Sequence, residues 1–353
     1  MYRYIGNKTK LLSEITDLVA KYVPVGGTVA DVMAGTGTVA AELRRCNYKV
    51  IASDIMTYSK HHLSVQLLMD SEPAFEGLSS ELGSFVCYNE VLEYLNNLTP
   101  VCGYFYQEFS PEGTPANGCP PRKYFTSDNA KHIDAVRMEI NRWVEKRLIT
   151  SLEESLLKHD LIMAANEVAN ISGTYGYFLS KFHGSALMPF SMKASSFEGG
   201  SIENTVLQGY AEELSSSITA DLCYIDPPYI KRQYAANYHI LETLARGDEP
   251  EAQGKSGLRP WRDQYSNLCT KTKSMDSFRQ IFSKMNCPVF LISYSEDGLF
   301  PVSELMDTFA EFGKVSLKEI EYKRFRSNRS SLGKAIHEYI ITLEKDGGVT
   351  CNL

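Results

Sequence analysis

The sequence predicts an α/β protein in which one sheet carries a largely helical insertion. Strand and helix patterns alternate at the start of the chain, helix and loop patterns fill residues 72–201, and strand patterns return after residue 220. At 353 residues the chain is longer than a typical single domain, so one core with a sizeable insertion, or two domains, is expected. We therefore expect residues 1–70 and 202–353 to form one domain and residues 71–201 to form the insertion.

The start of the chain contains a βαβ pattern. Apolar residues recur at helical spacing over residues 10–22, and the turn that begins at Pro24 ends this amphipathic helix. Residues 28–33 are typical of a short buried strand, residues 39–46 of a helix and residues 49–53 of a second strand. The order strand, helix, strand predicts a parallel βαβ unit.

Helices of the insertion and further strands of the sheet follow in that order. The helices have apolar periodicity, and the strands are short runs of β-branched and aromatic residues. The predicted segments are a loop at residues 110–121, helices at 129–147 and 152–168, strands at 220–225 and 288–294, and strands at 315–325 and 337–343 that pair as a hairpin across 327–333.

Composition places the chain among ordinary globular proteins. The hydrophobic fraction is 43% and the charged fraction 22%, and no apolar run approaches the roughly 20 residues that a membrane span needs. The N-terminus lacks the pattern of a secretory signal, so we expect a cytoplasmic protein with no membrane partner. The eight cysteines contain no Cys-x-x-Cys pair, which disfavours a zinc or redox site, and no metal is expected.

The charge balance argues mildly against a nucleic-acid partner. The net charge is −7, whereas phosphate binding usually shows as a basic excess. The basic residues nevertheless cluster at residues 3–10, 122–123, 181–183 and 323–329. Nucleic-acid binding through a locally basic face of an acidic protein therefore stays an alternative.

Two glycines follow the first predicted strand. Asp31 ends that strand, and Gly35 and Gly37 occupy the turn before the next helix, where backbone N–H groups can approach a ligand closely. Asp54 ends the second strand, where a carboxylate accepts hydrogen bonds from ribose hydroxyls. This spacing also fits a dinucleotide-binding fingerprint or a plain structural turn. Because Asp31 would repel a pyrophosphate but suits the cationic groups of S-adenosylmethionine, a methyl donor and a dinucleotide both stay open.

An acid, two prolines and a tyrosine follow a later strand as Asp226, Pro227, Pro228 and Tyr229. The prolines fix φ, so the carbonyls of Asp226 and Pro227 point rigidly into a site. The amino group of adenine is a poor nucleophile because its lone pair is delocalised. Acceptance of its two hydrogens by the Asp226 carboxylate and the Pro227 carbonyl would localise that pair, while Tyr229 stacks on a base flipped out of a duplex. The alternative is a turn that ends the strand.

With these motifs, the chain resembles the Dam-like class of adenine-specific DNA methyltransferases, including those of restriction-modification systems. The similarity extends to residues 3–8 and to residues 233–239, after the tetrapeptide. It implies a Rossmann-like, seven-stranded methyltransferase sheet with a closing antiparallel strand and a largely helical target-recognition insertion. It also implies S-adenosyl-L-methionine as cofactor, S-adenosyl-L-homocysteine as product and N6-methyladenine in double-stranded DNA. A cognate restriction endonuclease is the expected genetic partner, and a monomer or weak dimer the expected state.

The resemblance also implies roles for residues around the donor. Gly6 and Lys8 would approach the methionine carboxylate. Asp31 and Gly35 would approach the methionine end, and Asp54 the ribose. Tyr210 would border the donor's adenine, although many members of the class carry an aspartate near that position. For Lys8, a surface charge at the start of a helix is the alternative. The implied donor-binding set is Tyr4, Gly6, Asn7, Lys8, Asp31, Met33, Ala34, Gly35, Thr36, Gly37, Asp54, Ile55, Tyr210 and Asp226.

Candidates for DNA contact come from the insertion, from the segment after the tetrapeptide and from the C-terminal hairpin. A solvated surface charge is the alternative for any one of them. Two other functions stay open: methyl transfer to another exocyclic amine, including one in RNA, and a DNA-binding module without catalysis. No feature of the sequence gives a recognition site. The candidates are Arg122, Lys123, Lys181, Arg232, Gln233, Asn237, Tyr238, Arg326 and Asn328.

Overall fold

The computed structural model describes residues 8–83, 87–200, 202–323 and 335–346. Contacts within the chain divide it into two units. The described residues of 8–55, 201–233 and 266–353 form what we call the sheet unit, and those of 56–200 and 234–265 form the helical unit. In these ranges no helix combines the length and the apolar character needed to cross a membrane.

Within the described residues, seven strands form one sheet. They pair in the order third, second, first, fourth, fifth, seventh, sixth; the seventh is antiparallel to the fifth and to the sixth, and the other neighbours are parallel. The predicted Rossmann-like, seven-stranded sheet with one closing antiparallel strand is confirmed. The strands are β1 (Thr28–Asp31), β2 (Lys49–Asp54), β3 (Thr205–Gln208), β4 (Leu222–Ile225), β5 (Val289–Ser295), β6 (Gly313–Lys323) and β7 (Ala335–Lys345).

Helices flank these strands in the sequence and build the second unit. Short 3-10 turns add to them, one of which, Thr9–Leu11, leads into the first helix. The α-helices of the described ranges are α1 (Leu12–Tyr22), α2 (Thr38–Arg45), α3 (Thr57–Leu68), α4 (Ser79–Leu82), α5 (Tyr88–Asn96), α6 (Tyr104–Phe109), α7 (Ser127–Glu145), α8 (Ser151–Val168), α9 (Ala211–Leu214), α10 (Tyr234–Asn237), α11 (His239–Arg246), α12 (Ser274–Lys284) and α13 (Val302–Phe309).

Local sequence explains where the two long helices begin. The Thr126 hydroxyl accepts a hydrogen bond from the Asn129 backbone N–H at the start of α7. A capping box formed by Thr150 and Glu153 starts α8. Both helices begin within two residues of the predicted positions, because side-chain caps satisfy backbone N–H groups that the first turn leaves unpaired.

Helix α3 was not predicted, because it is buried on several faces and lacks amphipathic periodicity. Its buried residues include Tyr58, His62 and Leu67. A helix of this kind gives no stripe of apolar residues in the sequence. The turn of the predicted terminal hairpin lies outside the described residues, but β6 and β7 pair in register from Gly313 opposite Lys345 to Lys323 opposite Ala335.

The core of the sheet unit lies against α12 and α13. Phe278 and Phe282 of α12 pack edge-on against Phe309 of α13, with ring centroids 5.1 and 5.0 Å apart, and Phe282 also meets Phe290 of β5 at 4.9 Å. All four rings are buried. Edge-to-face rings combine a large buried apolar area with favourable quadrupole contacts, so this cluster anchors the strands whose ends carry the site.

The helical unit extends beyond the expected insertion. Residues 71–201 lie in it, but α3 and residues 234–265 belong to the same unit. Helix α3 packs along α8, and the Glu242 carboxylate of α11 accepts a hydrogen bond from the Thr57 backbone N–H at 2.9 Å. The sequence does not predict these contacts, because α3 and residues 234–265 lie next to strands of the sheet in the sequence. That residues 71–201 serve as a recognition insertion stays a prediction.

Candidate active site

The two predicted motifs meet at one edge of the sheet. Strands β1 and β4 are parallel neighbours, with Asp31 paired to Tyr224 in the register. Asp226 therefore follows β4 beside the end of β1. Strand order reverses here, since β1 continues to β2 on one side and β4 to β5 on the other. Ligands of open α/β sheets bind outside the carboxyl ends of strands at such a switch point.

The turn after β1 is held in a conformation that glycine favours. Gly35 has φ +54° and Gly37 has φ +79°, in the left-handed region that a Cβ disfavours. The Gly35 N–H donates to Asp54 Oδ2 at 2.9 Å, and the Gly37 N–H donates to the Ala34 carbonyl at 2.8 Å. Asp54, at the end of β2, thus tethers the glycine turn without any ligand.

Asp31 is a buried carboxylate with an unsatisfied oxygen. Its side chain is 1% exposed, and the backbone N–H groups of Met33 and Ala40 hydrogen-bond to it. Its Oδ1 has no hydrogen-bond partner among the described residues. Burial raises the pKa of this carboxyl well above its usual range, and the nearby carboxylates of Asp226 and Asp54 raise it further. A cationic group placed here would satisfy the oxygen and restore the charge.

Asp226 and Lys8 form a buried ion pair. The Lys8 Nζ lies 3.1 Å from Asp226 Oδ1, and the Lys8 side chain is 5% exposed. Burial raises the pKa of Asp226 to about 6, although the Lys8 ammonium opposes that rise. For Lys8, burial opposes the charge, but the carboxylates of Asp226 and Glu338 outweigh it and raise the pKa above its ordinary value. Asp226 is therefore mostly ionised at neutral pH.

Tyr229 is fixed beside this pair. Its backbone carbonyl accepts a hydrogen bond from the Leu299 N–H at 2.9 Å, and its ring meets Tyr294 of β5 edge-on with centroids 6.2 Å apart. The Lys8 Nζ lies 5.4 Å from the centroid of the Tyr229 ring. Burial raises the pKa of the Tyr229 hydroxyl to about 12, so the phenol stays neutral. Tyr229 is partly exposed, and its ring is held by the edge-on contact with Tyr294.

The expected approach of Lys8 to the methionine carboxylate stays a prediction. The Lys8 ammonium lies between Asp226 and a second acid, Glu338, whose Oε2 is 3.7 Å away. Sequence reasoning missed Glu338. Alternation along β7 marks it as one of several polar residues, and no local signal shows that this one meets Lys8.

Three of the expected DNA contacts have side chains that are buried in this structure, and their contact with DNA stays a prediction. Arg122 is 0% exposed; its guanidinium pairs with Glu108 at 2.5 Å and donates to the Gly254 carbonyl at 3.0 Å. The Gln233 amide exchanges hydrogen bonds with the Ser266 backbone, at 3.0 and 2.8 Å. Tyr238 is also fully buried.

The other candidates are compatible with a surface role or lie elsewhere in the chain. Lys181 and Arg232 are exposed, and Lys123 and Asn237 are partly exposed. Around the donor motif, Met33, Ala34, Thr36, Ile55 and Tyr210 are partly buried near the ends of β1, β2 and β3. The residues that lie outside the described ranges are Tyr4, Gly6, Asn7, Arg326 and Asn328.

A Rossmann-like sheet that carries an acidic glycine turn beside an Asp-Pro-Pro-Tyr segment is typical of the class of α/β methyltransferases. Comparison with known proteins narrows this class. The profile of the D12 class N6 adenine-specific DNA methyltransferases matches residues 4–296. The chain belongs to that family.

Individual relatives extend the match over nearly the whole chain. It is 36% identical to the modification methylase LlaI of Lactococcus lactis subsp. lactis, over 98% of this chain and 55% of that protein. It is 32% identical to the type II methyltransferase M.FokI of Planomicrobium okeanokoites, over 99% and 53% respectively. Identity to the type II methyltransferase M.NlaIII of Neisseria lactamica is 33%, over 97% and 99%. The chain thus spans about half the length of the first two relatives and almost all of the third.

Proposed function

We propose that the chain transfers a methyl group from S-adenosylmethionine to N6 of a flipped-out adenine at a specific site in duplex DNA. One observation carries this proposal. β1 brings Asp31 to the same sheet edge at which β4 brings Asp226, because the two strands are parallel neighbours. A donor held at the first strand end and an amine held at the second would face each other across the switch point.

The residues that follow β1 fit S-adenosylmethionine. The buried Oδ1 of Asp31, which has no partner in the part of the chain that the structure describes, would accept a hydrogen bond from the donor's ammonium. The turn at Gly35 and Gly37 lets the backbone approach the ligand, and Asp54 at the neighbouring strand end would contact the ribose. When bound, the donor supplies an electrophilic methyl group on a sulfonium centre. One βαβ unit therefore builds most of the donor site.

Asp226 and Pro227 are assigned to the target amine. The Asp226 carboxylate is mostly ionised at neutral pH, since its pKa is raised to about 6 and no further. It accepts one N6 hydrogen, and the Pro227 carbonyl accepts the other. Pro227 and Pro228 fix the backbone that aims this carbonyl. Two acceptors draw the nitrogen toward a tetrahedral geometry with its lone pair directed at the methyl. As the N–C bond forms, the bond between sulfur and methyl breaks, and the nitrogen then gives one proton to solvent.

Tyr229 is assigned to hold the extruded base. Adenine inside a duplex is out of reach of a buried carboxylate, so the base must leave the stack. The Tyr229 ring offers an apolar face, and its edge contact with Tyr294 keeps it in place. A rigid aromatic face costs little entropy when the base stacks on it, so Tyr229 would retain the base long enough for transfer.

The proposed partner is double-stranded DNA, bound through local basic groups despite the acidic total. Lys181 and Arg232 are exposed and Lys123 is partly exposed, as phosphate contacts require. Because the relatives are named modification methylases and type II methyltransferases, a cognate restriction endonuclease is the proposed genetic partner. We place the reaction in the cytoplasm, at the nucleoid, and expect a monomer or weak dimer.

Expression in cells that lack adenine methylation tests the proposal. Sequencing of their DNA should show N6-methyladenine at one short sequence, and cells expressing Asp226→Asn should show none. Adenines that stay unmodified with folded wild-type protein, or methyl groups on cytosine instead, would overturn the assignment of the substrate.

A further inference from the structure

Lys8 lies between two carboxylates from different strands. Its Nζ is 3.1 Å from Asp226 Oδ1, at the end of β4, and 3.7 Å from Glu338 Oε2, on β7. The three side chains are 5%, 20% and 12% exposed in the order Lys8, Asp226, Glu338. Charges shielded from water to this degree interact more strongly than surface charges. None of the motifs described above includes Glu338.

We propose that Glu338 is a positioning residue for methyl transfer, which shares the Lys8 ammonium with Asp226 and thereby keeps Asp226 an effective acceptor for the target amine. The inference rests on the proposed function, because it assigns Asp226 to that amine. Glu338 does not contact the target base in this account; it acts through Lys8.

The chemistry of the amine requires such a balance. A lone ammonium in contact with Asp226 would compete with the N6 hydrogen for the carboxylate oxygens, and would lower their basicity. Glu338 draws on the same ammonium and adds a second negative charge nearby. The positive charge of Lys8 raises the ionised fraction of Asp226. The negative charge of Glu338 keeps the Asp226 carboxylate a strong hydrogen-bond acceptor.

Other titratable groups face Asp226 and must be held constant in any test. Asp31 approaches from β1, Tyr224 from β4 itself and Tyr229 from the segment that follows. The Tyr224 hydroxyl is satisfied by Ser293 Oγ of β5 at 2.8 Å. Of the charged groups that act on Asp226, Lys8 lowers its pKa and Glu338 raises it. If Glu338 acted only in the structure, its removal and that of Lys8 would not shift the pKa of Asp226 in opposite directions.

Single-turnover methylation across pH tests the inference at saturating DNA and donor. In Glu338→Gln the fall in rate at acid pH, the acid limb of the profile, should move down by roughly half a pH unit or more. The rate on the plateau above it should fall several-fold, because Asp226 becomes a weaker hydrogen-bond acceptor. In Lys8→Met the limb should move up. Glu338→Asp keeps the charge and should retain the wild-type limb. Glu344→Gln removes a carboxylate from the same strand, away from Asp226, and should leave the limb in place.

A titration of the free protein, followed by carboxyl 13C NMR of Asp226, provides a readout that needs no turnover. Glu338→Gln should lower the Asp226 midpoint and Lys8→Met should raise it. A Glu338→Gln midpoint equal to the wild-type value, or shifted in the same direction as Lys8→Met, would overturn the inference. Wild-type protein that fails to methylate DNA would count against the proposed function instead, and the titration would still decide whether Glu338 acts on Asp226.

Discussion

In the proposed mechanism, Asp226 is a strong hydrogen-bond acceptor for the target amine only as a carboxylate, because protonation weakens its oxygens as acceptors. Burial raises its pKa from the ordinary aspartate value to about 6, with Lys8 opposing the rise. The active, ionised form is therefore lost as the pH falls through about 6. We expect the single-turnover rate at saturating DNA to be level above that pH and to decline below it, with transfer of a labelled methyl group as the measurement.

Two variants test whether the pH profile depends on the charge of Asp226. Asp226→Asn should abolish transfer at every pH, because the amide cannot provide the ionised acceptor. Asp276→Asn removes an exposed carboxylate of α12 and should leave the profile unchanged. A wild-type rate that stays constant while the pH is lowered well below 6 would show that Asp226 does not act through its charge.

Tyr229 offers a ring to the base and a hydroxyl that the account does not use. Tyr229→Phe should stay active. Tyr229→Ala should lose stacking worth about 1 to 3 kcal/mol, which slows transfer by roughly one to two powers of ten. A fluorescent adenine analogue at the target position should report less extruded base with Tyr229→Ala. If Tyr229→Phe were as slow as Tyr229→Ala, the stacking role would be wrong and the hydroxyl would carry the function.

Among the elements, the sequence predicted some of those that are periodic or capped, although the amphipathic helices α5, α12 and α13 were not among them. Strands β1 and β2 and helices α7 and α8 lie within a few residues of their predicted positions. The short strand β3 and the buried helix α3 were missed. Neither has a clear period, because β3 has four residues and α3 is buried on several faces.

Arg122 shows how a basic residue can belong to a fold rather than to a surface. Its guanidinium is fully buried and pairs with the buried carboxylate of Glu108. Arg122→Met should therefore lower the free energy of unfolding by about 3 to 5 kcal/mol, because it leaves Glu108 as an uncompensated charge. Urea denaturation measures this loss. Lys123→Met alters the neighbouring, partly exposed side chain and should cost far less.

The loop between α8 and β3 presents the basic residue that best fits a phosphate contact. Asn170 holds the base of this loop, since its amide donates to the Lys123 and Leu179 carbonyls at 2.9 Å each, and Lys181 is exposed two residues beyond Leu179. A phosphate contact at this lysine would release counterions when DNA binds.

Removal of that charge gives a test at the level of this element. Lys181→Ala should reduce the slope of log affinity against log salt by about 1, as loss of one phosphate contact requires. Duplex binding over a salt series measures the slope. Lys314→Ala removes an exposed lysine of β6 and serves as the control. Equal slopes for Lys181→Ala and the wild type would remove this loop from the DNA contact.

For the whole molecule, the order of strands and the identity of the two motifs could be predicted, but their surroundings could not. The resemblance implied a seven-stranded sheet, and the sheet has that form. Glu338 meets Lys8 from more than three hundred positions away in the sequence, and Arg122 donates to the Gly254 carbonyl from 132 positions away. No local pattern encodes such pairings. Arg122, Gln233 and Tyr238 were predicted as DNA contacts from residue type and from the resemblance, and neither signal reveals that their side chains are buried.

Analysis of nucleosides after reaction with purified protein shows directly whether the chain methylates N6 of adenine in DNA. Unmethylated duplex DNA would be incubated with the protein and S-adenosylmethionine labelled in its methyl group, then digested and analysed by mass spectrometry. The account predicts label in N6-methyladenine, and none when Asp226→Asn replaces the wild type. Label in another nucleoside, an unlabelled digest from folded wild-type protein, or labelled adenine with Asp226→Asn would contradict it.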